Sequence, residues 1–257
     1  MIRLQKAAPS GTILLDAPAT RNALSREMIQ QLIDAFSDFH RDKSVRAVIL
    51  SAKGDTFCSG IHLAEWHETS QDADALDIWQ EIADELQELI ESMLRLPKPI
   101  IAAIDGPALG IGLGLVLASD LVIASPNARF GSPAPRFGLV SGLVSPLLAF
   151  RCGASLAARL LLGGDTIDGN EAHRVQLVHR LVNSDLIWAS ANEWSKEIAL
   201  SSAESIQLTK RLINEMIGES VMMHLSSGAA VMATACSTEA ATEGLQAFID
   251  KRPPKFP

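Results

Sequence analysis

The stretch from Pro99 to Gly142, PIIAAIDGPALGIGLGLVLASDLVIASPNARFGSPAPRFGLVSG, constrains the fold more than any other part of the chain. Ile100 to Ile104 reads as a buried strand, Asp105-Gly106 as a turn, and Leu121 to Ala124 as a second apolar strand. Between them lie Gly110, Gly112 and Gly114. Glycines at this density just after a strand expose backbone N–H groups and let a ligand approach the main chain. They also allow close helix packing. From Asp105 to Asp120, and on to Gly142, there is no Glu, His, Cys or Lys; after Asp120 the only charged side chains are Arg129 and Arg136. The stretch therefore reads as a site whose reagent is the backbone, with no acid or base beside it.

The rest of the chain supplies alternating elements. Thr12 to Leu15 reads as a strand. Ser25 caps a helix running to about His40, with Met28, Leu32, Phe36 and Phe39 on one face. Arg46 to Ser51 is a short apolar strand. Asp72 to Leu96 is a long amphipathic helix, with Leu76, Trp79, Ile82, Leu86, Leu89 and Met93 at helical spacing, ended by Pro97 and Pro99. Strand–helix alternation, the mark of an α/β fold, continues to about Val182. Beyond it only helices are read: Leu186 to Leu200, Ala203 to Ile217, Val221 to Ala235 and Glu239 to Ile249. The change puts a boundary near Asn183, dividing residues 1–183 from 184–257.

Composition narrows the class. The 257 residues are 47% hydrophobic, enough for one large domain with a sizeable core. A formal net charge of −8 disfavours a nucleic-acid surface. No apolar run reaches the ~18 residues of a membrane span, and the N-terminus shows no apolar signal segment. Cys58, Cys152 and Cys236 form no CxxC pair, which points to free thiols in a reducing compartment and so to a cytoplasmic chain.

Four segments carry a resemblance. Besides Pro99 to Gly142, these are KGDTFCSGIHL (Lys53 to Leu63), DAPATRNALS (Asp16 to Ser25) and TEGLQAFIDKRPPKF (Thr242 to Phe256). In order and spacing the set resembles the crotonase superfamily, the enoyl-CoA hydratase/isomerase family. The resemblance implies an α/β, crotonase-like spiral of β-β-α repeats over residues 1–183. A C-terminal helical region, 184–257, would pack subunits into a homotrimer or a dimer of trimers and carry a tail that meets coenzyme A. It implies an acyl-CoA thioester as partner and no cofactor beyond the coenzyme A of the substrate. The backbone N–H groups of Ile61 and Ile111 would form an oxyanion hole for a thioester enolate. Arg21, Ala23, Ser59, Gly60, Gly110, Lys251 and Phe256 would contact coenzyme A, with Lys251 at the 3′-phosphate and Phe256 at adenine.

The acid/base set departs from that pattern. The two glutamates of the family's hydratases fall at Gly114 and Ala134, and glycine and alanine can neither deprotonate water nor protonate carbon. The aspartate nucleophile of the dehalogenase-type members falls near Gly142. The family often has Arg where Ala17 lies, and Gly where Ile111 lies. Substitutes for the missing acid and base are His62 and Glu65, at i,i+3 spacing and followed by His67 and Glu68, and Ser141 with Ser145, which could hold a water. A solvated helix face is the alternative for the first group. Cys58 with His62 also spells a thiol nucleophile, against a buried inert Cys. His224 reads as a packed core or interface histidine. No Cys/His pattern supports a metal. The expectation is enolate chemistry on an acyl-CoA by a lyase, isomerase or hydrolase rather than ordinary hydration, or else a CoA-thioester binder with little catalysis.

Overall fold

The computed structural model describes residues 1–257, the side chain of residue 217 excepted. The strands are β1 (Ile2–Ala7), β2 (Ser10–Leu15), β3 (Ala47–Ala52), β4 (Ile100–Ile104), β5 (Pro107–Leu109), β6 (Leu121–Ala124), β7 (Arg129–Gly131), β8 (Thr166–Asp168) and β9 (Arg180–Leu181). The helices are α1 (Arg26–Arg41), α2 (Leu63–Thr69), α3 (Ala75–Arg95), α4 (Ile111–Ala118), α5 (Val144–Cys152), α6 (Ala154–Leu162), α7 (Gly169–Arg174), α8 (Ile187–Ala199), α9 (Ala203–Arg211), α10 (Glu219–Cys236) and α11 (Glu239–Ile249). None is long and apolar enough to cross a membrane.

A six-stranded sheet runs β1-β2-β3-β4-β6-β9, parallel except for the β1–β2 hairpin. A second sheet, β5-β7-β8, lies beside it. The chain repeatedly places one strand in the large sheet, the next in the small one, then a helix. It does so as β4, β5, α4 and again as β6, β7, α5. After β3 the small-sheet step is a single bridge, Cys58 to Ala108. This is the β-β-α repetition expected of the spiral.

Because β3, β4 and β6 are covered on both faces, they read as unbroken apolar runs. Alternate residues feed two cores. Val48, Leu50, Ile100, Ala102, Ile104 and Val122 join the main one. Ala47, Ile49, Ile101, Ala103 and Ile123 face the other way and meet Ile187 and Ala191 of α8. The change to an all-helical chain does fall after β9, while α8 closes the sheet's second face.

Ser25 caps α1, its hydroxyl accepting from the Met28 N–H at 3.2 Å. Three details differ from the sequence reading. Edge strand β1 is mostly exposed, so it lacks the apolar signal of the interior strands. Leu76 is 49% exposed because α3 begins only at Ala75 and its first turn overhangs the core. The expected helix over Ala203 to Ile217 changes at Leu212 into a π-helical turn.

Lys210 of α9 is buried and ties the C-terminal helices to the sheet. Its ammonium donates to the carbonyls of Met93 (3.0 Å) and Lys98 (3.1 Å) and to Asp120 Oδ2 (2.7 Å). Asp120 Oδ2 also accepts from the Ile100 N–H at 2.8 Å. Burial lowers the Lys210 pKa, and Asp120 offsets part of that. Lys210→Met, which leaves the carboxylate without its cation, should cost about 3–5 kcal/mol in guanidinium unfolding. Lys210→Met with Asp120→Asn should lose less than the single variant; an equal or greater loss would deny the pair this role.

Candidate functional site

A pair of backbone hydrogen bonds builds the site. Cys58 N–H donates to the Pro107 carbonyl (3.1 Å), and Leu109 N–H donates to the Cys58 carbonyl (2.9 Å). They set the loop after β3 alongside β5. Gly60 follows at φ +108° and Gly110 at φ +53°, and a Cβ at Gly110 would lie 3.7 Å from the Gly60 Cα. Each of these two left-handed positions turns the chain so that the next residue, Ile61 or Ile111, faces one cavity.

Neither Ile61 nor Ile111 donates its N–H to a backbone carbonyl among the described residues. Ile61 sits in a parallel bridge with Leu24 whose two bonds are made by its neighbours: Leu24 N–H to the Gly60 carbonyl and His62 N–H to the Leu24 carbonyl. Ile111 is the first residue of α4, where N–H groups have no partner in the helix and the dipole is positive. Gly112 lets α4 come this close, since a Cβ there would lie 2.5 Å from the Cys58 carbonyl oxygen.

The cavity is small, about 70 Å³. The structure brings together in its wall Ile61, Trp66, Ile111, Leu139 and Leu143, with Phe137, Val144 and Met232 of α10, which sequence reasoning missed. No ionisable side chain is among the described residues that line it. Its side-chain polarity comes from hydroxyls: Ser59, Ser141 and buried Ser132, with the Ser132 and Ser141 oxygens 2.5 Å apart. Ser132 follows β7 in the run Phe130-Gly131-Ser132-Pro133. Ser145 points elsewhere, its hydroxyl donating to the Ser141 carbonyl.

Ala134 lines the cavity at the start of a 3-10 turn, Ala134–Phe137. Gly114 lies behind Ile111: a Cβ added there would meet Ile111 Cδ1 at 3.0 Å and Val144 Cγ2 at 3.6 Å. A side chain at 114 would thus press on the tip of the Ile111 side chain. At Gly142 an added Cβ would lie 1.9 Å from the Gly228 carbonyl of α10, so no side chain fits.

His62 and Glu65 do not line the cavity. His62 Nδ1 caps α2 by accepting from the Glu65 N–H at 3.2 Å. The Glu65 carboxylate accepts from the Arg26 N–H at the start of α1, at 3.2 and 3.3 Å. Their spacing serves helix capping, and no group of three metal-ligating side chains forms among the described residues. Cys58 is buried, which pushes its thiol up to about 12. His224 is exposed on α10, not packed in a core.

The residues expected at coenzyme A border the same loops. The Arg21 carbonyl accepts from the Ser59 N–H at 3.1 Å, and the Thr20 carbonyl from the Ala23 N–H at 3.1 Å. Ser59 and Ala23 therefore have carbonyls to offer rather than N–H groups. The Arg21 side chain is exposed, its Nε 3.5 Å from Thr56 Oγ1. Buried Asn22, missed in the sequence, pins the loop by donating to the carbonyls of Lys53 (2.9 Å) and Thr56 (2.7 Å). Lys251 and Phe256 are exposed beyond α11. That helix packs on α2 and on the 3-10 turn, with Phe248 edge-on to Phe137 at 6.0 Å.

The sequence model of the family described as Enoyl-CoA hydratase/isomerase matches residues 8–257. A Thermus thermophilus relative is 33% identical over 256 residues, covering 100% of both chains. The 2,3-dehydroadipyl-CoA hydratase of Escherichia coli is 29% identical over 95% of this chain and 93% of its own. The crystal structure of an enoyl-CoA hydratase/isomerase from Xanthobacter autotrophicus Py2 superposes with a TM-score of 0.89 at 28% identity, covering 100% of this chain and 98% of that one.

Two outcomes check the packing. Gly142→Ala should destabilise the fold by about 1–3 kcal/mol or more in guanidinium unfolding, because Gly228 gives no room. A neutral effect would show that α10 can shift. Cys58 should resist iodoacetamide at pH 8 in the folded protein and react in urea, read by mass spectrometry; native labelling would contradict an inert thiol.

Proposed function

The chain belongs to the enoyl-CoA hydratase/isomerase family, and from that premise we propose that it polarises a CoA thioester between the N–H groups of Ile61 and Ile111 but does not hydrate enoyl-CoA. The carrying observation is a cavity lined by Ile61 and Ile111, whose N–H groups meet no backbone carbonyl among the described residues, with no ionisable side chain in its described lining. Two N–H donors aimed at the thioester oxygen stabilise an enolate, and loss of one such donor costs roughly 3–4 kcal/mol in other enzymes. The dipole of α4 adds to them. Hydration and double-bond migration both need a protein group that takes and returns a proton. A serine hydroxyl is far too weak a base, so Ser132 and Ser141 orient a water or a polar substrate atom and do no more.

The chemistry this supports is lyase chemistry in which the substrate generates its own enolate. In an α-carboxylated acyl-CoA, the bond from the α-carbon to the carboxylate breaks and CO2 leaves. The electron pair enters the thioester as an enolate, and water protonates the α-carbon. No protein base is required. The same bare lining supports a second reading, a CoA-thioester binder without turnover. Exposed Leu208, Leu212, Ile213, Met216 and Met223 on the C-terminal helices support self-assembly into the trimer or dimer of trimers of the sequence expectation.

Crotonyl-CoA hydration, followed by loss of enoyl absorbance, should stay at background; turnover at ordinary enzymatic rates would overturn the proposal. Malonyl- and methylmalonyl-CoA should release CO2 with the purified protein; binding without release would select the second reading. Gly114→Glu with Ala134→Glu should gain no hydration while Ile111 fills the entry. Adding Ile111→Gly should raise it at least about tenfold over the double variant, since acid/base groups supply about 10²–10⁴.

A further inference from the structure

We infer that this protein is built for short acyl groups, about two to four carbons, and that the Ile111 side chain sets the limit. The inference rests on the acyl-CoA reading of the site and names the substrate class within it.

The volume gives the first argument. A cavity of about 70 Å³ is about half the roughly 150 Å³ of an engineered apolar cavity that holds benzene, a six-carbon ligand. With the thioester carbonyl at the Ile61 and Ile111 N–H groups, room remains for two or three further carbons.

The second argument is what closes the far side. Ile111 puts its Cδ1 over Gly114, and Val144 stands next to it. Both line the cavity, and α4 behind them is buried along its whole length. The Ile111 N–H thus greets the thioester oxygen while its own side chain stops the chain that follows.

The third argument is that the opposite wall cannot yield. An added Cβ at Gly138 would lie 2.3 Å from the Ala240 carbonyl oxygen, and one at Gly244 2.1 Å from that of Phe137. With the Gly142–Gly228 crossing, these contacts clamp the loop that carries Leu139 and Ser141 under α10 and α11. The acyl space is therefore fixed on both sides.

The test is a chain-length series, acetyl-, butyryl-, hexanoyl- and octanoyl-CoA, with affinities measured by calorimetry on the wild type, Ile111→Ala and Val144→Ala. Each methylene that enters an apolar pocket adds about fourfold in affinity. The wild type should gain up to butyryl-CoA and then level off or fall. In Ile111→Ala the break should move to hexanoyl-CoA or beyond, and in Val144→Ala by a smaller step. Affinity that climbs through octanoyl-CoA in the wild type would overturn the inference. So would a break at the same length in all three proteins when both variants unfold at temperatures showing an intact fold. If no thioester in the series binds, including acetyl-CoA, the acyl-CoA reading itself fails and the inference falls with it.

Discussion

Two backbone hydrogen bonds, Cys58 N–H to the Pro107 carbonyl and Leu109 N–H to the Cys58 carbonyl, hold together everything that matters at this site. They join segments about fifty residues apart and fix two glycine turns side by side. The turns then bring the next residues, Ile61 and Ile111, to the wall of one cavity. Because those N–H groups belong to the main chain, only a proline at 61 or 111 would remove one. Evolution of the side chains can change what reacts without dismantling what polarises. Buried Cys58 contributes a carbonyl, an amide and a close contact with Gly112; its thiol, held protonated by burial, contributes no chemistry.

Of the empty acid/base positions, Ala134 lines the cavity, while Gly114 and Gly142 are packed. Ile111 stands over Gly114, and the Gly228 backbone fills what a side chain at Gly142 would need. Interiors are close-packed, so a missing carboxylate leaves no hole in a well-formed core. Restoring one demands removal of whatever took its space. That coupling ties a carboxylate at 114 to a change at Ile111.

Elements whose burial follows from their own composition were legible in the sequence. β4 and β6 coincide with Ile100 to Ile104 and Leu121 to Ala124, and α11 with Glu239 to Ile249. Their apolar runs and caps are local information. β1 was not legible, because an edge strand with most side chains in water carries no burial pattern. His62 and Glu65 illustrate a different limit. Spacing placed them on one face, but the partner of Glu65 is the Arg26 N–H, 39 residues away. The Gly142–Gly228 contact, Met232 in the cavity wall and Asn22 under the loop are likewise meetings of distant segments. No pattern within a window of sequence encodes them. The family resemblance supplied the loops' partnership, which composition and periodicity do not contain.

An apolar cavity with two N–H donors and a helix dipole favours one charge state above others. It stabilises negative charge on an oxygen placed at the donors and penalises charge elsewhere in its interior. A carboxylate carried on the α-carbon would lie in the penalised region, with no cation to meet it among the described lining. Losing that charge as CO2 moves it to the stabilised oxygen. On the proposed reading, the electrostatics that offer water no base would lower the barrier for a substrate that sheds its own charged group. Hydration asks the protein for a proton acceptor; bond cleavage of this kind asks only for a place to put the electrons, which on the proposed reading is the backbone of Ile61 and Ile111.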